Sequence, residues 1–409
     1  MRNNHKKTCI VFTTPGALEG GGGIGRMTGY IVDQFEASAA KPDTVVLDTR
    51  GKGSVWMSPL YLTATLARLG WLAARGRASI VHINVSEGAS VPRKAAIQFV
   101  AKLFGRPTVV HLHGATFIDY CRESAVGRAM SRWLFRHCDR AVVLGKEWSG
   151  FLAEELGIAP QKIRILYNAV PDFAADGLER EPPPQGATLS LLVLANLSER
   201  KGIGTLLHAC EILKQRGVRF RLTLGGGGDV DGYREMAARL GIAEDCSFHG
   251  WVSREQAHEM LRSHDMLVLP STHEGLPMVI LEALAARLPV VTTPVGSIPE
   301  VLKHAETAMI VPVNEREALA DSILELAGDP DLYRRLSEEG RRLFVRLFDI
   351  GAYADALNAL YEEMQTPERR TGLPEAATLG SGGLGSAGLG TMPPAAPAAE
   401  TSFTRMEPR

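Results

Sequence analysis

Short apolar runs that read as buried strands alternate with longer segments of helical period along most of the chain. Before residue 150 the runs are CIVF, TVVLD, SIVHINV, PTVVHLHG and RAVVLG; after residue 188 they are LSLLVLAN, RFRLTLGG, CSFHG, DMLVLP and LPVVTTP. Strands separated by helices predict parallel sheets with helices on both faces. Between the two series, DFAADGLEREPPPQGAT (172–188) carries the prolines and charges of a linker. The pattern predicts an α/β protein of two doubly wound domains facing a central cleft. Residues 1–175 make the first and 186–345 the second, and a terminal helix at 346–365 joins the first. Residues 366–409 are low-complexity Gly, Ser, Ala and Pro; they bury too little apolar surface to order themselves and are expected to be a disordered tail without chemistry.

Composition narrows this picture. A chain of 409 residues is long for one core, which agrees with two domains. Lys plus Arg number 45 against 46 Asp plus Glu, so no global charge favours nucleic acid. Five cysteines without C-x-x-C spacing point to a reducing cytosol and away from zinc. The opening apolar run, CIVF, is too short for a signal peptide. The longest candidate span, residues 56–76, is broken by Pro59, Arg68 and Arg75, so no transmembrane helix is expected.

Chemistry concentrates in STHEGLPMVILEALAARLPVV (271–291), where seven residues separate Glu274 from Glu282. On one helix that spacing would put the carboxylates about 12 Å apart, which excludes a catalytic dyad. DMLVLP reads as a strand and 277–288 as a helix opening on Pro277, so Glu274 falls in the strand-to-helix loop and Glu282 in the second helical turn. Glu282 interrupts a mostly apolar helix, and a buried carboxylate needs a partner or a ligand. The carboxyl edge of an open sheet is where such sheets bind ligands; a carboxylate there suits a sugar or ribose diol, and a helix start suits phosphate.

Three further motifs lie at strand ends. ALEGGGGIGRMTG (17–29) contains G-x-G-x-x-G at Gly20, Gly22 and Gly25, and Asp48 follows at the end of TVVLD. This spacing admits a dinucleotide fingerprint, yet the glycines come after a long TTPGALE loop rather than in the tight turn that the fingerprint requires. The alternatives are a glycine loop that approaches a diphosphate from the opposite domain, or a plain spacer. In HLHGATF, His111 and His113 share one face of a strand; His111 reads as structural, while His113, nearer the carboxyl end and followed by Gly114, can reach the cleft. In NLSERKG, Arg200 and Lys201 stand beside Gly202 just before a helix, where two cations could neutralise a diphosphate leaving group.

Together, EGLPMVILEALAARLPVVTTPVGSIPEVL, ERKG, HLHG, the glycine loop and LYNAVPD (166–172) resemble the glycosyl transferases group 1 family, retaining enzymes of the GT-B type with two Rossmann-like domains. The resemblance runs over roughly residues 8–365. It implies a nucleotide-diphosphate sugar donor, a glycan or lipid-linked acceptor in cell-surface or exopolysaccharide synthesis, and catalysis without a metal or further cofactor. By position it implies that Glu274 holds donor-sugar hydroxyls and Glu282 the ribose diol, with Gly275 and Leu276 beside the donor. Arg200 and Lys201 would stabilise the departing diphosphate, Gly22 and Gly23 would line it, and His113 would contact the sugar near the reacting carbon. Two departures from the family pattern stand out: Arg287-Leu288-Pro289 where a glycine commonly precedes PVV, and Ala195 or Asn196 where a glycine is common.

Two other function classes fit parts of the chain. A nicotinamide-dependent oxidoreductase would use Gly20, Gly22, Gly25 and Asp48; the other is a catalytically inactive nucleotide-sugar-binding scaffold, against which the retained Glu274, His113, Arg200 and Lys201 argue. A last pattern concerns a partner. Arg128, Arg132, Arg136 and Arg140 recur at steps of four beside Met130 and Trp133, and Arg93, Lys94, Lys102 and Arg106 with Trp56 and Trp71 repeat the theme. This is either the solvated face of outer helices or a docking face for an anionic membrane, which would put a cytoplasmic enzyme at the membrane periphery.

Overall fold

The computed structural model describes residues 8–16, 22–38, 40–51, 58–174 and 177–366. Gly20, Trp56 and the tail expected at 366–409, except Thr366, lie outside the described residues. The first half holds β1 (Cys9–Thr14), β2 (Asp43–Asp48), β3 (Ile80–Val85), β4 (Thr108–Leu112), β5 (Arg140–Val143) and β6 (Ile163–Ile165). Its helices are α1 (Gly23–Glu36), α2 (Ser58–Ala74), α3 (Ser90–Leu103), α4 (Phe117–Glu123), α5 (Ala125–His137) and α6 (Lys146–Gly150).

The second half holds β7 (Leu189–Leu194), β8 (Phe220–Gly225), β9 (Cys246–Gly250), β10 (Met266–Leu269), β11 (Val290–Thr292) and β12 (Met309–Ile310). Around them lie α7 (Ile203–Gln215), α8 (Val230–Arg239), α9 (Arg254–Ser263), α10 (Met278–Ala285), α11 (Ile298–Val301), α12 (Arg316–Gly328), α13 (Pro330–Leu347) and α14 (Ile350–Gln365).

Each half is a six-stranded parallel sheet covered by helices, as the alternation predicts. The orders differ: β2-β1-β3-β4-β5-β6 in the first and β12-β11-β10-β7-β8-β9 in the second. Both place their central strands under helices on both faces, and β3, β4 and β10 are buried at every position. Truncating one such side chain, Leu267→Ala in β10, is expected to cost about 2–5 kcal/mol. The two strands absent from the sequence pattern, β6 (IRI) and β12 (MI), are short edge strands whose alternation spans too few residues to read.

The terminal helix α14 packs on the first half. Tyr361 places its hydroxyl 2.7 Å from His82 Nδ1, and Glu363 pairs with Arg140 at 2.7 Å. Among the described residues no helix is long and apolar enough to cross a membrane.

The basic stripe differs from its expected form. Helix α5 ends at His137, so Arg140 opens β5 and pairs with Glu363 rather than extending the stripe. Arg128 donates to the Cys121 carbonyl and Arg132 to the Glu155 carbonyl. Lys94, expected among surface cations, is buried at 1% exposure, where its Nζ donates to Thr49 Oγ1 and the Thr13 carbonyl. A period of four matches both an outer face and an inner one, and the neighbouring strands decide which is which.

Candidate active site

The second sheet reverses its winding between β7 and β10, and the loops leaving those two strands meet there. After β7 the chain makes a short turn, Glu199–Lys201, and Gly202 at φ +68° sends it into α7. A Cβ at Gly202 would lie 1.9 Å from the Pro270 carbonyl oxygen, so only glycine lets the two loops touch. Thr272 N donates to the Arg200 carbonyl at 2.8 Å and fixes them in register.

This contact delivers two cations to one carboxylate. Glu274, 6% exposed, accepts from Lys201 Nζ at 2.5 Å and from Ser271 Oγ at 2.7 Å. Arg200 Nη1 stands 3.7 Å from the other carboxylate oxygen and donates to the His273 carbonyl. The cluster carries one positive charge more than Glu274 neutralises, which suits an anionic leaving group.

Glu282 is held differently. Every residue of α10 is buried, and Glu282 is 1% exposed. Its Oε1 accepts from Arg26 and, at 3.2 Å, from the Tyr30 hydroxyl, both on α1 of the first half. Burial pushes its carboxyl above the ordinary range, opposed by Arg26. Its Oε2 is buried and has no partner among the described residues, so one oxygen remains to accept from a diol. Helix α10 stops where Arg287 adopts φ +54°, with Leu288 N donating to the Ala283 carbonyl. The position that commonly holds glycine in the resembled family is thus a left-handed helix end, and here an arginine bears its strain.

Gly275 and Leu276 lie against the first half. A Cβ on Gly275 would sit 3.0 Å from Leu144 and 3.7 Å from the His113 carbonyl oxygen. Asn168 Nδ2 donates to the Leu276 carbonyl at 2.8 Å, and Ser297 Oγ to the Leu144 carbonyl. Glu300 accepts from the backbone N–H groups of Lys146 and Glu147 at the start of α6. These contacts bring His113, Glu274, Gly275 and Leu276 to one seam.

His113 places Nε2 3.0 Å from Asn84 Oδ1, and Asn84 in turn donates to Thr28. That network assigns the proton to Nε2 and leaves Nδ1 as a lone pair. Burial and, behind it, Lys94 hold the imidazole down to about 3, so it is neutral at physiological pH. His111 is fully buried, its ring 3.9 Å from that of His113 and its Nδ1 3.2 Å from His82, which agrees with a structural part.

Gly22 caps α1 and Gly23 opens it, with open space at both α-carbons. Eight residues separate β1 from α1, more than the tight dinucleotide turn allows, and Asp48 Oδ1 accepts from the N–H groups of Gly16, Arg50 and Gly51. Sequence reasoning passed over Arg26, Tyr30, Asn168 and Glu300, whose partners lie on distant segments, and Ser271, whose partner Glu274 is three residues away. It also passed over the glycines after β8: Gly226 and Gly228 pack on the Ala195 and Leu197 carbonyls, so the small residues required there stand on this loop. The run LGGGGD was a legible signal for it.

Comparison with known proteins agrees with this geometry. Residues 179–343 match the family model "Glycosyl transferases group 1", and residues 11–169 match "Glycosyl transferase 4-like domain". The amylovoran biosynthesis glycosyltransferase AmsK of Erwinia amylovora is 36% identical over 152 residues, 35% of this chain and 37% of that protein. The putative glycosyltransferase EpsD of Bacillus subtilis is 26% identical over 308 residues, 71% of this chain and 78% of that one. Among solved structures, sucrose-phosphate synthase of Thermosynechococcus elongatus superposes with TM-score 0.71 at 17% identity, covering 88% of this chain and 99% of that one. The Anabaena HepE protein, solved in complex with UDP and glucose, does so with TM-score 0.68 at 14% identity, covering 87% of this chain and all of that one. With one model on each half and the same two-sheet architecture in its structural neighbours, the chain belongs to the glycosyl transferases group 1 family and has the GT-B fold.

Proposed function

We propose that the chain is a retaining, metal-independent hexosyltransferase that moves a sugar from a nucleotide-diphosphate sugar to a glycan or lipid-linked acceptor in cell-surface polysaccharide synthesis. The observation that carries this is Glu274, clamped by Lys201 and approached by Arg200 at the edge where His113 and Gly275 meet. The sugar hydroxyls bind Glu274, the ribose diol binds the spare oxygen of Glu282, and neutral His113 offers Nδ1 to a hydroxyl. As the bond from the anomeric carbon to the phosphate breaks, Arg200 and Lys201 offset the charge on the diphosphate. The acceptor oxygen takes its place on the same face, and its proton leaves with the phosphate. No cofactor other than the donor is needed.

The relatives with 36% and 26% identity include a protein named for amylovoran synthesis, which favours a polysaccharide acceptor. A membrane setting is favoured by the outer layer of the first half. Among the described residues, eight of twelve exposed large hydrophobic side chains lie on α2, α5 and α3 with its following residue, Leu60, Trp71, Phe99, Leu103 and Trp133 among them. Phe99, Met130 and Trp133 line a groove of about 400 Å³, and no acidic residue occurs on these three helices. Exposed aromatics beside Arg68, Arg132 and Arg136 suit an anionic headgroup layer, so we place the enzyme at the cytoplasmic face of a membrane.

The division of labour is tested by thermal shift with UDP, GDP, ADP and their sugars. Glu282→Ala should lose the shift with both free nucleotide and donor, whereas Glu274→Ala should keep the free-nucleotide shift and lose transfer; a ligand at 100 times its Kd adds about 2.7 kcal/mol. Equal loss of nucleotide binding in both variants would sink the assignment. Activity should survive EDTA, and proton NMR of the product should show the donor's anomeric configuration.

A further inference from the structure

The first sheet has a crevice of its own. Its winding reverses between β1 and β3, and the carboxyl ends of β1, β3 and β4 lie side by side there. The segment after β3 is a tight turn, Ser86 to Ala89, pinned by Ser90 N to the Glu87 carbonyl, Val91 N to the Gly88 carbonyl and Ser86 N to Ser90 Oγ. This turn holds the Glu87 side chain against the end of β4. A Cβ on Gly114 would lie 2.2 Å from Glu87 Oε2, so the carboxylate rests on the bare α-carbon next to His113.

That oxygen is buried and has no hydrogen-bond partner among the described residues. Of the other acids named above, Glu274 is engaged by Lys201, Asp48 by three backbone N–H groups and Glu300 by two, while the second unpaired carboxylate oxygen, Glu282 Oε2, belongs to the carboxylate proposed for the donor. A carboxylate oxygen kept from water without a donor is unfavourable until a donor arrives. Glu87 stands on the half opposite the donor carboxylates, one residue from the histidine that abuts Gly275.

We propose that Glu87 binds the acceptor: its free oxygen accepts a hydrogen bond from a hydroxyl of a hexose acceptor and turns a neighbouring hydroxyl toward the donor's anomeric carbon. The inference rests on the transferase function proposed above and assigns its acceptor subsite. Gly114 belongs to the same device, since it provides the seat for the carboxylate.

The test uses the full chain, the nucleotide sugar identified by thermal shift, and the octyl glycosides of glucose, galactose, mannose and N-acetylglucosamine as acceptors. Glu87→Gln keeps the size of the side chain and replaces one acceptor oxygen by a donor amide; Gly114→Ala pushes an unchanged carboxylate off its seat. Both variants should keep the wild-type nucleotide shift and donor KM while acceptor KM rises at least tenfold. An unchanged acceptor KM in Glu87→Gln overturns the inference. So does loss of the nucleotide shift together with transfer, which marks a structural role. A wild type that hydrolyses donor but takes none of the four glycosides also overturns it. A wild type that neither hydrolyses nor transfers overturns the transferase function itself.

Discussion

The two halves share one alternation of strand and helix but treat charge in opposite ways. The outer helices of the second half are laced with ion pairs: Arg234 with Asp231 on α8, Arg216 with Asp321 of α12, Arg342 with Glu338 on α13. The corresponding α2, α3 and α5 of the first half carry no acid and expose aromatics instead. Inside, the second half holds Glu274 with its own Lys201 and Ser271, whereas Glu282 depends on Arg26 and Tyr30 from the first. The second half pairs its outer charges and holds Glu274 within itself; the first completes the Glu282 site from across the seam and keeps a surface that water suits poorly. In the function proposed above, donor chemistry falls to the second half and the acceptor side to the first.

The largest expected effect sharpens this contrast within the cleft. Lys201→Ala removes the cation nearest Glu274 and should lower transfer about 10²–10³-fold in steady-state assays. Nucleotide affinity should change far less if, as proposed, Glu282 holds the ribose. A comparable loss of nucleotide affinity would show that the clamp acts on the whole donor.

A second effect is concentrated in the first half. His82 and His113 are held down to about 3, chiefly by burial, against an ordinary value near 6.5. Below pH 6.5 the unfolded chain therefore takes up protons that the folded chain refuses, so stability falls as pH drops toward 3 and is flat with respect to these groups above 6.5. Each group contributes a slope of about 1.4 kcal/mol per pH unit in that window. Urea unfolding between pH 7 and 5 should show it, and His82→Gln should remove about one group's share. His113 should add no acid limb to the rate profile between pH 5 and 8.

Next in size is the outer surface. Phe99→Ser with Trp133→Ser should reduce sedimentation with anionic vesicles about tenfold and leave nucleotide shifts intact. Wild-type protein that ignores anionic vesicles at low salt would remove the membrane from the comparison and favour a soluble acceptor. The smallest effect belongs to the second half: Arg287→Gly relieves the left-handed residue after α10 and should stabilise the protein by about 0.5–1 kcal/mol in thermal unfolding.

Legibility in the sequence follows the range of the interactions. Ten of the strands were readable because each is a short apolar or alternating run between helical segments, and Glu274, Lys201 and His113 were readable because each follows such a run. Lys94 was misread as surface because α3 buries Lys94 and Gln98 beside Val91, Ile97 and Ala101 while it exposes Phe99 and Leu103, a mixture that hides which face is inward. Arg140 was misread because nothing in its spacing marks where α5 ends.

By itself the sequence determined the class of fold, the order of the two halves and the chain segments that end at each sheet edge. Periodicity and strand ends are local properties, encoded within a dozen residues. Only the tertiary structure decided that Arg26 meets Glu282 across 256 residues, that Lys201 meets Glu274 across 73, and that Glu87 rests unpaired on Gly114. Those contacts depend on which strands lie side by side and how closely two loops approach, and no pattern along one segment records the position of another.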